Sequence, residues 1–324
     1  MHSKIVISYP LPGNAMQFLS ENERENVWVN PKAAILQRSA LLEQVQGAAG
    51  LVVTPGDGPI NAEIFKAAGS NLKVVSCYSV GFDYVDIVEA RRRAIAVGIT
   101  PDATTEPTAD IAWLLILGAN RDLNRAYEKM RCRTWSGIAP SDQFGNRLVG
   151  KTLFVVGCGR IGSAVARRAV GWNMNLKYLA RTDKPEIEKP PLFAQRVTLE
   201  QGLRQADFVS LHLPLNQATH HIIGANELAM MKESAVLINT ARGGVIDEKA
   251  LIAALRDKSI RAAGLDVYEN EPNIDPELFE LSNCLMLPHI GTATVEDRRW
   301  MTEIAMQNLL AGIEGKPLPN SIPA

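Results

Sequence analysis

The sequence predicts an α/β protein of two units, each a parallel sheet flanked by helices, with a ligand cleft between them. Three observations carry this. Short runs rich in Val, Ile and Leu alternate with helical patterns along most of the chain, the order that builds parallel sheets. A turn near residue 100 is followed by a long apolar helical stretch, after which the alternation starts again. With 324 residues, two domains are expected, each large enough to bury its own core.

In the first unit, Lys4–Ser8 reads as a strand broken by Pro10, Pro12 and Gly13. Ala15–Glu25 follows as a helix and Val27–Val29 as a strand. Leu41–Gly47 is helical, and Gly50–Thr54 is a strand stopped by Pro55-Gly56-Asp57-Gly58. Ala62–Ala68 is a helix, Leu72–Cys77 a strand ending at Tyr78-Ser79-Val80-Gly81, Ile87–Arg93 a helix and Ala96–Ile99 a strand. Thr104–Asn120 is a long apolar helix, with Pro107 and Asp110 near its start. Arg121–Gly145 is polar and carries Trp135.

The second unit opens on Lys151–Gly162, KTLFVVGCGRIG. Leu153–Val156 has the composition of a strand buried on both faces. It runs into Gly157-Cys158-Gly159-Arg160-Ile161-Gly162 and a helical pattern with Ala164, Val165 and Ala169. Strand, glycine turn and helix together make this a dinucleotide fingerprint. Gly157 allows the tight turn, Gly159 lets backbone approach a pyrophosphate, and Gly162 lets helix and strand pack. The amides from Arg160 and Ile161 onward then face the phosphates. Both units are read as Rossmann-like from their strand–helix alternation, although residues 1 to about 100 carry no glycine fingerprint of their own. An NAD site places an acid about 20 residues beyond the glycines, at the next strand end. After Leu176–Leu179 this chain has Ala180-Arg181-Thr182. A guanidinium and a hydroxyl in place of a carboxylate favour NADP(H), with NAD(H) a weaker possibility.

Further strands are read at Asp207–Leu211, Ala235–Asn239, Ala262–Asp266 and Cys284–Leu287, and a last helix at Val295–Gly312. Lys184–Pro191 is a Pro-rich loop. The last helix is expected to cross back to the first unit. That gives a discontinuous domain of residues 1–100 plus 291–324 and a dinucleotide-binding domain of residues 101–290.

The 34 basic and 35 acidic residues give a net charge of −1, so no basic field exists to attract nucleic acid. Cys77, Cys132, Cys158 and Cys284 lack C-x-x-C spacing. They suggest neither zinc nor a disulfide framework and point to a reducing, cytoplasmic setting. MHSKIVISYP has no long apolar stretch, so no signal peptide is expected. Ile111–Ala119 is too short for a bilayer. His220-His221 lacks a third ligand at metal-like spacing and reads as surface, and no metal is expected.

Three strand ends of the second unit carry polar groups where such sheets bind ligands. They are Arg242 after Ile238-Asn239-Thr240-Ala241, acids within Leu265-Asp266-Val267-Tyr268-Glu269-Asn270-Glu271, and His289 after Leu287-Pro288. This set suits hydride transfer to a 2-oxo acid. Arg242 can hold a substrate carboxylate or polarise its carbonyl. His289 can give a proton to the oxygen, and a carboxylate against the ring orients it and favours its charged form. Glu271 is the expected partner and Glu269 the rival.

These stretches resemble the D-isomer-specific 2-hydroxyacid dehydrogenases. The resemblance runs through GCGRIG, ADFVSLHLPLNQATHHII, INTARGGVIDEKAL, AAGLDVYENEP and LPHIGTAT, and extends to YSVGFDYVD and PTADIAW. It implies that Arg242, Glu271 and His289 are the catalytic set. It also implies that the amides of Val80 and Gly81, with Ser79 beside them, bind the substrate carboxylate. Asp266 and Gly291 would face the nicotinamide, Thr108 would lie along the cofactor, and His212, Leu213 and Pro214 would border the adenosine. Thr240 and Ala241 join the cofactor set. A homodimer through the Thr104–Asn120 helix and the segment after it is implied, which would let Trp135 reach the partner's active site. Within the family, the Ser79–Asp83 loop and Ala180-Arg181-Thr182 resemble NADPH-dependent glyoxylate/hydroxypyruvate reductases. Hydroxyphenylpyruvate reductases of the same family, and a non-catalytic sensor of nicotinamide nucleotides, are the alternatives.

Overall fold

The structure, a computed structural model, describes residues 3–138 and 145–322. It divides into two compact units, Met1–Thr104 with Thr292–Ala324, and Thr105–Gly291.

The first unit holds β1 (Lys4–Ile7), β2 (Val27–Val29), β3 (Ala48–Val53), β4 (Val74–Cys77) and β5 (Ala96–Gly98), in the order β2-β1-β3-β4-β5. All neighbours are parallel. Successive side chains serve opposite faces. Val6, Leu51, Val53 and Val75 join the core under the helices Arg38–Gln44, Ala62–Ala68 and Ile87–Arg92. Ile5, Ile7, Val52 and Val74 pack with Met301, Ile304, Ala305 and Leu309 of the helix Val295–Ile313. Ser76 Oγ donates to the Ala305 carbonyl at 2.8 Å, fixing that helix on the sheet.

The second unit is a seven-stranded sheet of β6 (Thr152–Val156), β7 (Asn175–Leu179), β8 (Gln195–Arg196), β9 (Phe208–Leu211), β10 (Val236–Asn239), β11 (Ala262–Leu265) and β12 (Cys284–Met286). Its order is β12-β11-β10-β9-β6-β7-β8, again all parallel. Leu153 and Val155 pack under the helices Thr105–Asn120 and Arg160–Arg168. Phe154 and Val156 pack with Leu203, Leu228 and Leu251 on the other face. The indole N–H of Trp113 donates to the Val165 carbonyl at 3.0 Å, tying these two helices together. Among the described residues, no helix is long and apolar enough to cross a membrane.

Local departures from the sequence reading have local causes. Ala15–Glu25 is not one helix but a 3-10 turn, Ala15–Phe18, and a one-turn helix, Glu21–Arg24. Ser20 caps the second turn reciprocally with Glu23, and this capping box starts a helix where one was expected to continue. The polar stretch after residue 121 contains the helix Leu123–Arg131, which buries none of its side chains; its few large apolar residues, Leu123, Tyr127 and Met130, share one exposed side. Lys184–Pro191 contains the single helical turn Pro185–Glu188. β8 is two exposed polar residues, too short and too polar to read as a strand.

Asn308 shows how the first unit is closed. It is fully buried; its amide donates to the Ile99 carbonyl at 2.9 Å and its carbonyl accepts from Asn320 N–H at 3.0 Å. Asn308→Ala should lower the unfolding free energy by about 2–3 kcal/mol, since both backbone groups lose their partner. Urea unfolding checks this.

Candidate active site

In the second sheet β6 lies between β7 and β9, so the strand order reverses there. Such a reversal opens a crevice at the carboxyl ends of the strands. The glycine turn after β6 borders it. Gly157 has φ +93°, and a Cβ on it would lie 2.6 Å from the His212 carbonyl oxygen; one on Gly162 would lie 2.2 Å from the Gly157 oxygen. Side chains at either position would force the turn apart. A Cβ on Gly159 would meet nothing within 4 Å, so that side of the turn is open. The helix begins at Arg160, which puts the amides of Arg160, Ile161 and Gly162 at its unsatisfied end.

At the carboxyl ends of β9 and β10, two buried polar atoms lack a partner, His212 Nδ1 and Thr240 Oγ1. His212 Nε2 lies 2.8 Å from Ser210 Oγ. Burial pushes the His212 ring down to about 3, so it is neutral at ordinary pH. Leu213 and Pro214 follow it at the end of β9. Ala180 follows β7, half-buried, and Arg181 and Thr182 stand exposed beyond it. An open glycine cradle, orphaned polar atoms and a cationic strand end fit a phosphate-bearing dinucleotide.

The polar groups beyond β10, β11 and β12 converge. Glu271 Oε2 and His289 Nδ1 are 2.7 Å apart. Glu271 Oε1 accepts from the Tyr268 amide at 2.8 Å, and the Tyr268 hydroxyl donates to the Leu287 carbonyl at 2.8 Å. Tyr268 thus links the acid's turn to the strand end that carries His289. Burial pushes the Glu271 carboxyl up. The hydrogen bond and charge of His289, the Tyr268 amide and the Arg242 charge outweigh it, leaving the group below the ordinary glutamate range. Arg242 leaves β10 through a turn set by Asn239, whose amide donates to the Arg242 carbonyl at 2.9 Å and whose oxygen accepts from Ala241 N–H at 3.0 Å. Gly243 lets this turn meet the Glu271 turn: a Cβ there would lie 1.8 Å from the Tyr268 carbonyl carbon.

Asp266 is buried and accepts from the amides of Ile290 at 2.8 Å and Gly291 at 2.7 Å. Burial pushes its carboxyl up despite these donors. His289 sits just before them in the left-handed region, φ +53°, which is uncommon for a residue with a side chain. Thr108 closes the same corner, its hydroxyl 3.4 Å from where a Cβ on Gly291 would lie. In the first unit Ser79 Oγ donates to the Gly81 carbonyl at 2.7 Å and lies 3.0 Å from the Tyr84 hydroxyl; Val80 and Gly81 are partly exposed.

Residues 113–291 match the family described as D-isomer specific 2-hydroxyacid dehydrogenase, NAD binding domain. A glyoxylate reductase from Thermococcus litoralis is 41% identical over 326 residues, covering 99% of this chain and 97% of its own. The chain belongs to the D-isomer specific 2-hydroxyacid dehydrogenase family. Among solved structures, a glyoxylate reductase from Paecilomyes thermophila aligns with a TM-score of 0.88 at 34% identity, covering 99% of this chain and 98% of its own. An NADPH-dependent glyoxylate/hydroxypyruvate reductase from Sinorhizobium meliloti, in complex with NADP and malonate, aligns at 0.83 with 28% identity, covering 99% and 97%. The protein is thus an oxidoreductase acting on CH–OH groups with a nicotinamide cofactor.

Seen with this family's chemistry, Glu269 does not compete for His289. Its carboxylate pairs with His221 Nε2 at 2.7 Å, and its amide donates to Glu248 at 3.1 Å. His220 and His221 stack at 3.9 Å. The third donor that their spacing lacks arrives in space as Glu269, all three ligand atoms lying within 4.8 Å of one another. Its 2.7 Å spacing from His221 is a hydrogen-bond length, shorter than the roughly 3.3 Å between donors around a tetrahedral zinc. The roles of Tyr268 and Asn239 and the double brace by Asp266 carry no signal in the sequence. All three act through backbone groups, those bonded by the Tyr268 hydroxyl and by Asp266 being distant in the chain. Tyr268→Phe should cost about 1–2 kcal/mol of stability by leaving the Leu287 carbonyl with one partner fewer. It should also slow turnover several-fold; thermal unfolding and steady-state rates check both.

Proposed function

We propose that the protein is an NADPH-preferring reductase of small 2-oxo acids, glyoxylate and hydroxypyruvate, giving D-2-hydroxy acids, with His289 as proton donor. The observation that carries the mechanism is the 2.7 Å contact between Glu271 and His289 Nδ1 beside Arg242. An ionised Glu271 can only accept, so Nδ1 carries a hydrogen and Nε2 is left to serve the substrate. When bound, the nicotinamide supplies hydride to the carbonyl carbon. His289 Nε2–H gives its proton to the carbonyl oxygen, and Glu271 stabilises the cationic ring before that transfer. Arg242 polarises the carbonyl and holds the carboxylate. In the same reading Ser79 and the amides of Val80 and Gly81 serve the substrate carboxylate. Asp266 and Gly291 face the carboxamide, and Thr108, Thr240, Ala241, His212, Leu213 and Pro214 line the cofactor.

NADPH preference is supported by the absence of an acid at Ala180 and by Arg181, whose exposed guanidinium enters no ion pair among the described residues. The names of the relatives support the substrate class. A homodimer is part of the proposal. Leu114, Leu123, Tyr127, Met130 and Trp135 are exposed apolar side chains on and after the long helix, more than a solvated helix face needs. The four cysteines are free, which suits a reducing, cytoplasmic setting.

His289→Asn should lower kcat by about 10²-fold or more while the cofactor Kd stays within about twofold, since acid catalysis contributes on that order. Equal losses in both would remove the acid role. Initial rates with glyoxylate, hydroxypyruvate and hydroxyphenylpyruvate, each with NADPH and NADH, test the whole reading. Wild type should favour the two small acids with NADPH, and Arg181→Ala should raise the KM for NADPH about tenfold and leave that for NADH nearly unchanged. Faster turnover of the aromatic acid, NADH preference, or nucleotide binding without turnover would each contradict it.

A further inference from the structure

We infer that Arg196 is a positioning residue for cofactor choice: it compensates the charge of Asp183 on the turn that carries Arg181 and Thr182. This rests on the NADPH reading above. Arg196 is on the two-residue strand β8, next to β7. Its guanidinium donates to the Ala180 carbonyl at 3.1 Å, to the Arg181 carbonyl at 2.8 Å and to Asp183 Oδ1 at 2.7 Å. These are the oxygens of three of the four residues that leave β7. The bonds to backbone hold the guanidinium at the turn, so compensation of Asp183 does not depend on one mobile ion pair.

Asp183 is the acid nearest the 2′-phosphate position expected at Arg181 and Thr182. It is two residues from Arg181, so their Cα atoms are at most about 7.6 Å apart. That is inside a Debye length at physiological salt. Left uncompensated, its carboxylate would repel a dianionic phosphate and leave a 2′-hydroxyl almost unaffected. β8 thus gives the sheet edge a use beyond pairing. It brings a cation from outside the fingerprint to a turn that would otherwise carry an acid beside its phosphate ligands. The Asp183 side chain is 69% exposed, so the pair contributes little to stability. Its effect belongs to ligand choice.

The test is the Kd of NADPH and of NADH, by titration of the full-length protein, in wild type, Arg196→Ala, Arg196→Ala/Asp183→Asn and Arg181→Ala. Arg196→Ala should weaken NADPH about tenfold and NADH less than about twofold, with unchanged thermal midpoint. Removing the Asp183 charge in that background should restore most of the NADPH affinity. Equal weakening of both cofactors, no weakening, or no rescue by Asp183→Asn would overturn the inference. Arg181→Ala separates the two levels. If it collapses the NADPH preference while Arg196→Ala does not, only the role of Arg196 fails. If Arg181→Ala leaves the preference unchanged, the phosphate assignment itself fails.

Discussion

The candidate catalytic centre depends on one constraint: His289 is held in a left-handed backbone conformation while its ring is aimed by a carboxylate. Neither feature maintains itself. Asp266 takes the next two amides, Ile290 and Gly291, on its two oxygens, which fixes the turn. Glu271 takes Nδ1, which fixes the ring. A residue with a side chain persists in this conformation where its surroundings over-determine it, and the two carboxylates come from the turn that follows one strand, β11. The neighbouring strand end at β10 is pressed against that turn at Gly243. The positions of Arg242, Glu271 and His289 are therefore set by a small number of backbone contacts in a parallel sheet.

The two carboxylates hold their places in different ways. Asp266 is buried and its carboxyl is pushed up, yet it receives two amide hydrogen bonds and acts as a brace. Glu271 is also penalised by burial, but its contact with His289, the Tyr268 amide and the Arg242 charge lower it. In the proposed mechanism, a carboxylate kept ionised at this position is what favours the charged ring that donates the proton. The low His212 ring follows the opposite rule: buried without a charged partner, it stays neutral beside the glycine turn.

Much of the fold was legible because parallel strands covered on both faces are nearly continuous apolar runs, and β6, β9 and β10 have that form. The sequence is less informative where stability is local and polar. The capping box at Ser20 divided an expected helix, the Leu123–Arg131 helix has only three large apolar side chains among charged ones and buries none of them, and β8 is two polar residues. The candidate site divides in the same way. Arg242, an acid and His289 can be placed at strand ends because ligands collect there. Which of Glu269 and Glu271 meets His289 depends on the path of the turn, and the structure gives Glu269 to His221. The contacts of Tyr268, Asn239 and Arg196 were not legible because they are made largely with carbonyls and amides, which every residue carries.

The proton position in the His289–Glu271 pair tests the account most directly. Imidazole ¹⁵N NMR of the protein, with the ring assigned by comparison with His289→Asn, reads which nitrogen carries hydrogen in the neutral ring. The account predicts the Nδ1–H form, with Nε2 free to exchange a proton with substrate. A dominant Nε2–H form would mean that Glu271 does not accept from the ring, and would contradict the proposed route of the proton.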